Sequence, residues 1–281
     1  IMILADIHTH TNYFHGKNTV QEMYNAAVDS NLQYYGFSEH TPLPEGFSCL
    51  LYQEGDMNIA FENYVNDVLT LKEKAADYNK ENLCQIPEVL LGMELDFTPQ
   101  YPDYMDNLIK KYPFDYVIGT IHFVGEQNIG LWNAEDASLE EKYAFFEEYY
   151  DYMIKLAAYG KTDIIAHPDF VKIHCIDSFH AWLKTKRADE CLHETCKAVK
   201  KSGMVLEVST GGLKKACEEI HPSPKILEIA ASYAIPISFA SDTHNINTVA
   251  YKFEELAHFA RQFGYKEHTV FINRQPIQLA F

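Results

Sequence analysis

The chain has 281 residues, 47 % of them hydrophobic, which is enough apolar material for one well-buried core. Its formal net charge of −17 excludes a broad nucleic-acid-binding surface, which needs stripes of Lys and Arg. No run of about 18 apolar residues occurs, so no membrane-spanning helix is expected, and the start of the chain lacks the basic segment of a secretory leader.

An apolar run over residues 2–7 predicts a first strand, and His8-Thr9-His10 follows it directly. Side chains alternate along a strand, so both imidazoles point the same way. His15 comes in the next loop. Thr19-Val20-Gln21-Glu22 is a capping box that opens a helix to about residue 30. A second strand is expected over 34–37, just before His40, and residues 41–57 read as a long loop. Apolar residues at Ile59, Phe61, Tyr64, Val65, Val68, Leu69 and Leu71 recur at helical spacing and predict a helix over 58–78. Strands over 89–93, 116–121 and 163–166 end on Glu94, His122 and His167 in turn. A second long loop covers 123–137 and a helix 138–159. Strands over 204–208, 237–240 and 269–272 alternate with helices over 188–202, 223–233 and 248–263. Asp242 and His244 follow the strand at 237–240.

Strand, helix, strand repeated about seven times predicts an α/β fold with parallel strands. Six of the strands are followed by a candidate metal ligand. In a (β/α) barrel all those strand ends share one face, where active sites sit, whereas an open sheet does not bring six of them to one point. The pattern therefore favours a barrel. No Pro-, Ser- or Gly-rich linker divides the chain, so residues 1–281 are expected to form one domain.

His8, His10, His15, His40, Glu94, His122, His167, Asp242 and His244 are the candidate ligands. Neutral imidazole nitrogens with anionic oxygens suit zinc, manganese or iron. A carboxylate can bridge two such ions, and two close ions can hold an attacking hydroxide and neutralise the leaving oxygen. Up to three divalent cations would make the local field positive whatever the net charge. His174, His180, His193, His258 and His268 lack a strand-end position and read as solvated or packing residues. The aromatic runs 143–146 and 149–152 read as core, and the acidic stretch 135–141 as an exposed helix start. The six cysteines (Cys49, Cys84, Cys175, Cys191, Cys196 and Cys217) contain no Cys-x-x-Cys pair and are expected to be free thiols of a reducing cytoplasm.

Six motifs carry a resemblance to a known family. They are Asp6-Ile7-His8-Thr9-His10, Ser38-Glu39-His40, Gly92-Met93-Glu94, Ile121-His122, Ala166-His167-Pro168-Asp169 and Ser241-Asp242-Thr243-His244. Together they resemble the PHP (polymerase and histidinol phosphatase) family over nearly the whole chain. The resemblance implies a distorted (β/α)7 barrel, TIM-like, with three divalent ions. The first ion would take His8, His10, Glu94 and Asp242. The second would share Glu94 as a bridge and add His122 and His167. The third would take His15, His40 and His244. The stretch from Glu207 to Lys214, followed by Glu219-Ile220-His221-Pro222-Ser223-Pro224, is similar to the histidinol-phosphatase branch, in which Asn is expected where Ser209 stands.

That branch implies cytoplasmic hydrolysis of a small phosphorylated substrate, L-histidinol phosphate, to L-histidinol in histidine biosynthesis. Glu94, Asp242 and His244 would then be catalytic, with Asp242 or a nearby His handling the proton, and Lys172, Lys214 and His221 would face the substrate. Two other readings stay open: a small-nucleotide phosphodiesterase of the same family, and a non-enzymatic, metal-stabilised binding module. An amidohydrolase-type barrel also has His-x-His after its first strand, but the filled third site counts against it.

Overall fold

The computed structural model describes residues 2–45, 47 and 55–281. Strand β1 (Ala5–Asp6) lies inside the expected 2–7 run. Helix α1 (Val20–Asp29) starts on its capping box: the Glu22 N–H donates to the Thr19 hydroxyl oxygen at 3.2 Å, and the Thr19 N–H donates to the Glu22 carboxylate at 2.8 Å. Next come β2 (Tyr34–Phe37), α2 (Met57–Glu81), β3 (Glu88–Leu91) and β4 (Glu94–Asp96). Part of the expected 41–57 loop, with Cys49, lies outside the described residues. Helix α3 (Pro102–Lys111) was not anticipated, although Pro102 in its first turn and Lys110 and Lys111 in its last are ordinary boundary signals.

Strand β5 (Ile118–Thr120) leads into a short hairpin, β6 (Phe123–Val124) with β7 (Gln127–Asn128), inside what the sequence suggests is a plain loop. Helix α4 (Leu139–Tyr159) follows, then β8 (Ile164–Ile165) and the unanticipated α5 (Ile176–Leu183). The chain continues through α6 (Lys186–Ser202), β9 (Val205–Ser209), α7 (Pro224–Ser232), β10 (Ile237–Ala240) and α8 (Phe253–Gln262). Helix α8 begins later than the expected residue 248, because Ala250 and Lys252 adopt left-handed φ of 51° and 53°. The expected strand at 269–272 is part of an antiparallel hairpin, β11 (Glu267–Ile272) with β12 (Gln275–Ala280).

All pairings in the central sheet are parallel: β1 with β2, β2 with β3, β4 with β5, β5 with β8, β8 with β9 and β9 with β10. β3 and β4 are two halves of one run, interrupted at Gly92-Met93. Tyr116 fills the space there. A Cβ on Gly92 would lie 2.3 Å from the Tyr116 ring, so only glycine lets the strand pass. The ring closes through a parallel bridge between Thr9 and Thr243, with the His10 N–H donating to the Thr243 carbonyl at 2.9 Å. Asp6 secures the same seam. It accepts from Ser241 N–H (3.0 Å), the Ser241 hydroxyl (2.6 Å) and Ala250 N–H (3.0 Å). The result is a distorted TIM-like barrel of seven parallel strands.

Inside the barrel, Ala5, Leu90, Tyr116, Ile118 and Ile164 form one buried cluster with Val270 and Phe271 of the terminal hairpin, which plugs the end opposite the site. Arg274 pins that plug by donating to Asp163 at 2.5 Å, and the Asn273 N–H donates to Asp115 at 3.1 Å. Outside the strands, Phe146, Tyr150, Phe179 and Trp182 pack α4 against α5, with Tyr150 stacked on Trp182 at 5.5 Å. The aromatic runs of α4 are thus core. Among the described residues no helix is long and apolar enough to cross a membrane, and Cys84, Cys175, Cys191, Cys196 and Cys217 are free.

Candidate metal centre

Eight of the nine candidate ligands stand beyond the C-terminal end of a barrel strand, Glu94 lies where β3 passes into β4, and the side chains meet. Glu94, the first residue of β4, is the hub. Its Oε2 lies 3.3 Å from His8 Nε2, 3.5 Å from His10 Nε2 and 3.0 Å from His40 Nδ1. Its Oε1 lies 3.5 Å from His122 Nε2 and 3.1 Å from His167 Nε2. Asp242 Oδ1 lies 3.5 Å from His10 Nε2 and 3.8 Å from both His8 Nε2 and His244 Nδ1. The His15 ring centre is 4.4 Å from that of His244 and 4.7 Å from that of His40. His10 is as near to both, at 4.3 Å from His244 and 4.4 Å from His40, so the third expected group shares a side with the first.

A ring nitrogen is fixed pointing inward when the other is held. Three buried carboxylates do this. His8 Nδ1–H donates to Glu207 of β9 at 2.6 Å, His10 Nδ1–H to Glu39 at 3.1 Å, and His122 Nδ1–H to Asp96 of β4 at 2.8 Å. Glu39 is itself fixed by the Thr11 N–H (2.9 Å) and hydroxyl (2.6 Å). The sequence reading missed Glu207, Glu39 and Asp96. Their signal was an acid inside or beside an apolar strand, which burial tolerates only with a partner. Asp242 reaches the centre from a left-handed φ of 49°, and a Cβ on Gly211 would stand 2.7 Å from its Cβ.

The electrostatics match a cation site. Burial alone would raise the Glu94 carboxyl, but His8, His40 and His122 hold it well below the usual carboxylate range. Burial likewise opposes Asp242, which Lys215 and His10 hold well below that range. Burial, His40 and His10 push His15 down to about 2, so its imidazole is neutral and able to ligate. For His10 burial lowers the value, but the neighbouring carboxylates of Asp242 and Glu39 lift it to about 9.

His8 Nε2, His10 Nε2, His244 Nε2 and Glu94 Oε2 are buried and make no hydrogen bond. Leaving such atoms unsatisfied costs about 1–3 kcal/mol each. Donor atoms of His8, His10 and Glu94 lie within 4.8 Å of one another, as do those of His10, His40 and His244 and those of His40, Glu94 and His122. The residues therefore fit divalent metal.

Above the cluster lies a cavity of about 350 Å³. The three residues expected to face substrate are placed differently. Lys172 is buried, its ammonium donating to Glu219 (2.8 Å), the Ile220 carbonyl (2.8 Å) and the Ser223 hydroxyl (3.0 Å) and paired with Asp169 at 2.7 Å. Lys214 spends its ammonium on the carbonyls of Ser241 (2.7 Å) and Asp242 (2.9 Å). His221 is buried against Asp169 at 2.5 Å, its ring centre 5.9 Å from that of His167. None of the three lines the cavity. Lys215 does, with its Nζ 2.6 Å from Asp242 Oδ2 and 5.7 Å from the centre of the Phe170 ring. A one-residue offset in the short 3-10 turn Gly211–Lys214 separates the two lysines, and nothing in the sequence pattern reveals it.

His174, read from sequence as a solvated or packing residue, also stands on the cavity wall. The other histidines outside the cluster lie elsewhere. His180 pairs with Glu219 at 2.8 Å, His193 bonds the Tyr233 hydroxyl at 2.9 Å, His258 is exposed on α8, and His268 is buried near Phe239 and Phe281.

Comparison with known proteins agrees with this geometry. A family model described as the PHP domain matches residues 6–211. A probable histidinol-phosphatase of Deinococcus radiodurans is 24 % identical over 269 residues, covering 93 % of this chain and 94 % of the relative. The histidinol-phosphatase of Bacillus subtilis is 25 % identical over 271 residues, covering 89 % and 96 %. The crystal structure of a histidinol phosphate phosphatase from Lactococcus lactis, complexed with zinc, L-histidinol and phosphate, superposes with a TM-score of 0.77 at 16 % identity, covering 97 % of this chain and 98 % of that one. A structure from Listeria monocytogenes provisionally named a histidinol phosphatase gives 0.73 at 22 % identity, covering 89 % and 99 %.

Proposed function

This chain belongs to the PHP domain family, and from that premise we propose that it is a metal-dependent phosphomonoester hydrolase that converts L-histidinol phosphate and water to L-histidinol and phosphate. The observation that carries the reading is the gathering of seven imidazoles and two carboxylates, Glu94 and Asp242, at the floor of one cavity. The names of the relatives support the substrate. We read residues 1–281 as one domain, since β10 completes the barrel and Asp242 follows it. The free thiols and the place of such a reaction in histidine biosynthesis fit a cytoplasmic setting.

We assign three divalent ions to the site, of zinc, iron or manganese, with zinc favoured by the Lactococcus lactis complex. His8, His10, Glu94 and Asp242 would hold the first, Glu94, His122 and His167 the second, and His15, His40 and His244 the third. Bound there, such ions supply Lewis-acid charge to the phosphoryl oxygens and lower the pKa of water.

The chain does the rest. Glu207, Glu39 and Asp96 fix three imidazoles in one tautomer each. Glu94 divides its two oxygens between two groups of histidines. Lys215 brings an ammonium to the cavity wall as a point charge for the phosphate, the role the sequence suggests for Lys172 or Lys214. Asp242, with Oδ2 held by Lys215 and Oδ1 facing the imidazoles, is our candidate to take a proton from the attacking water, with His244 beside it. Phe170 and Ile173 give the cavity wall its apolar part.

The test is a panel of histidinol phosphate, p-nitrophenyl phosphate, nucleoside monophosphates and cyclic nucleotides. Histidinol phosphate should lead in kcat/KM by at least ~10-fold, which is ~1.4 kcal/mol of differential transition-state binding. Equal turnover of p-nitrophenyl phosphate would refute the substrate assignment, and a cyclic nucleotide in first place would make the chain a phosphodiesterase.

A further inference from the structure

The cavity lining is of two kinds. Lys215, Asp242, Glu94 and the imidazoles make its charged part, and Asn128, Gly130, Phe170, Ile173, His174 and Ala216 carry no carboxylate or ammonium. Among the described residues that line it, Glu94 and Asp242 are the only carboxylates. Two of the uncharged segments meet at one hydrogen bond, from His174 Nε2–H to the Gly130 carbonyl at 3.0 Å.

Each segment is tied to a histidine of the cluster. On one side the Ile129 N–H donates to the His122 carbonyl at 2.8 Å, and the Leu131 N–H donates to the Asn128 side chain at 3.2 Å. On the other the Phe170 N–H donates to the His167 carbonyl at 2.9 Å, the Ile173 N–H donates to the Phe170 carbonyl at 3.1 Å, and the Phe170 ring centre lies 4.7 Å from that of His167. The His174–Gly130 contact is therefore joined through backbone bonds to two histidines of the cluster.

We propose that His174 and the Gly130 carbonyl form part of a leaving-group subsite, and that His174 selects alcohols carrying a planar ring with N–H groups. The inference rests on the phosphatase reading above and adds to it a residue that decides which ester is taken. The Gly130 carbonyl keeps a second lone pair after accepting from His174, and the His174 ring offers its other nitrogen. Phe170 supplies an aromatic face beside them. A leaving group without hydrogen-bonding groups forgoes these contacts, and a bulkier one meets the bridge between the two segments.

Steady-state kinetics of the metal-loaded full chain test this, comparing wild type with His174→Ala and His174→Gln on histidinol phosphate, p-nitrophenyl phosphate and a nucleoside monophosphate. Inorganic phosphate serves as competitive inhibitor to probe the charged part. His174→Ala should reduce the preference for histidinol phosphate over the other two by ~10-fold, with the loss in KM rather than kcat and the phosphate inhibition constant unmoved. His174→Gln retains an N–H for Gly130 and should recover part of the KM. Equal losses on all three substrates, or wild-type selectivity in His174→Ala, would overturn the assignment. The two readings separate cleanly: a wild-type enzyme indifferent to histidinol phosphate sinks the substrate reading, whereas a selective wild type with an equally selective His174→Ala sinks only this one.

Discussion

Glu94 concentrates more of the site than any other side chain, since five imidazoles lie within 3.5 Å of its two oxygens. Glu94→Gln keeps the shape and removes the charge. Turnover should fall by at least ~100-fold, ~2.7 kcal/mol of transition-state stabilisation, and bound metal should drop with it. Elemental analysis beside the rate assay checks both, and normal metal content with near-normal activity would contradict the bridging role. The two lysines give a sharper contrast. Lys172 neutralises Asp169 and Glu219 inside the protein. Lys172→Met leaves the buried carboxylate of Asp169 without its cation, so we expect a loss of about 3–5 kcal/mol in unfolding free energy, read by urea denaturation. Lys215→Met removes a charge from the cavity wall, so it should weaken inhibition of the metal-loaded protein by phosphate. At this scale the sequence was most legible where geometry follows from alternation alone, as at His8 and His10. It was least legible where a side chain's direction depends on a turn, as at Lys215, or where the partner is distant in the chain, as for His8 and Glu207.

Among the elements, strands β2, β9 and β10 lie close to the expected runs, because each is a buried stretch of apolar and β-branched residues bounded by turn signals. Helices α3 and α5 escaped notice because they are short and lack a Ser, Thr, Asp or Asn side-chain cap. The β11–β12 hairpin was visible only as one strand, since β12 alternates buried and exposed positions weakly and begins with Gln275-Pro276. That hairpin carries a pH prediction. His268 of β11 is buried with neither ring nitrogen hydrogen-bonded, and burial pushes it down to about 4. The unfolded chain takes up that proton near pH ~6.5. The stability of the neutral buried ring is therefore complete above that pH and is lost as pH falls toward 4. The stability of His268→Leu relative to wild type should rise by ~2–3 kcal/mol between pH 7.5 and pH 4.5 in denaturant melts. A wild-type-to-variant difference that does not change with pH would show that the ring is protonated or solvated in the folded state.

For the molecule as a whole, barrel architecture and the position of the site were both readable from one fact, that candidate ligands follow six different strands. What could not be read is how the barrel is sealed, since that depends on contacts between the hairpin and the strand starts at Asp115 and Asp163. The centre also links metal to the stability of the entire barrel, because its residues come from β4 and from the loops after β1, β2, β5, β8 and β10. Chelation should lower the melting temperature. At free metal 1,000 times Kd the linkage is worth ~4 kcal/mol, or roughly 10 °C for a chain of this size. Calorimetry before and after chelator, with recovery on adding zinc, checks this, and an unchanged melting temperature would mean that the ions do not hold these strands together.

The seam between β1 and β10 joins Asp6 to Ser241 across 235 positions of sequence. A ribosome must therefore have made most of the polypeptide before the opening segment meets its lasting neighbour, and until then His8 and His10 wait without Asp242. Loading with ions is thus a late event in biogenesis, and a nascent chain stalled short of residue 242 should capture far less zinc than the released one.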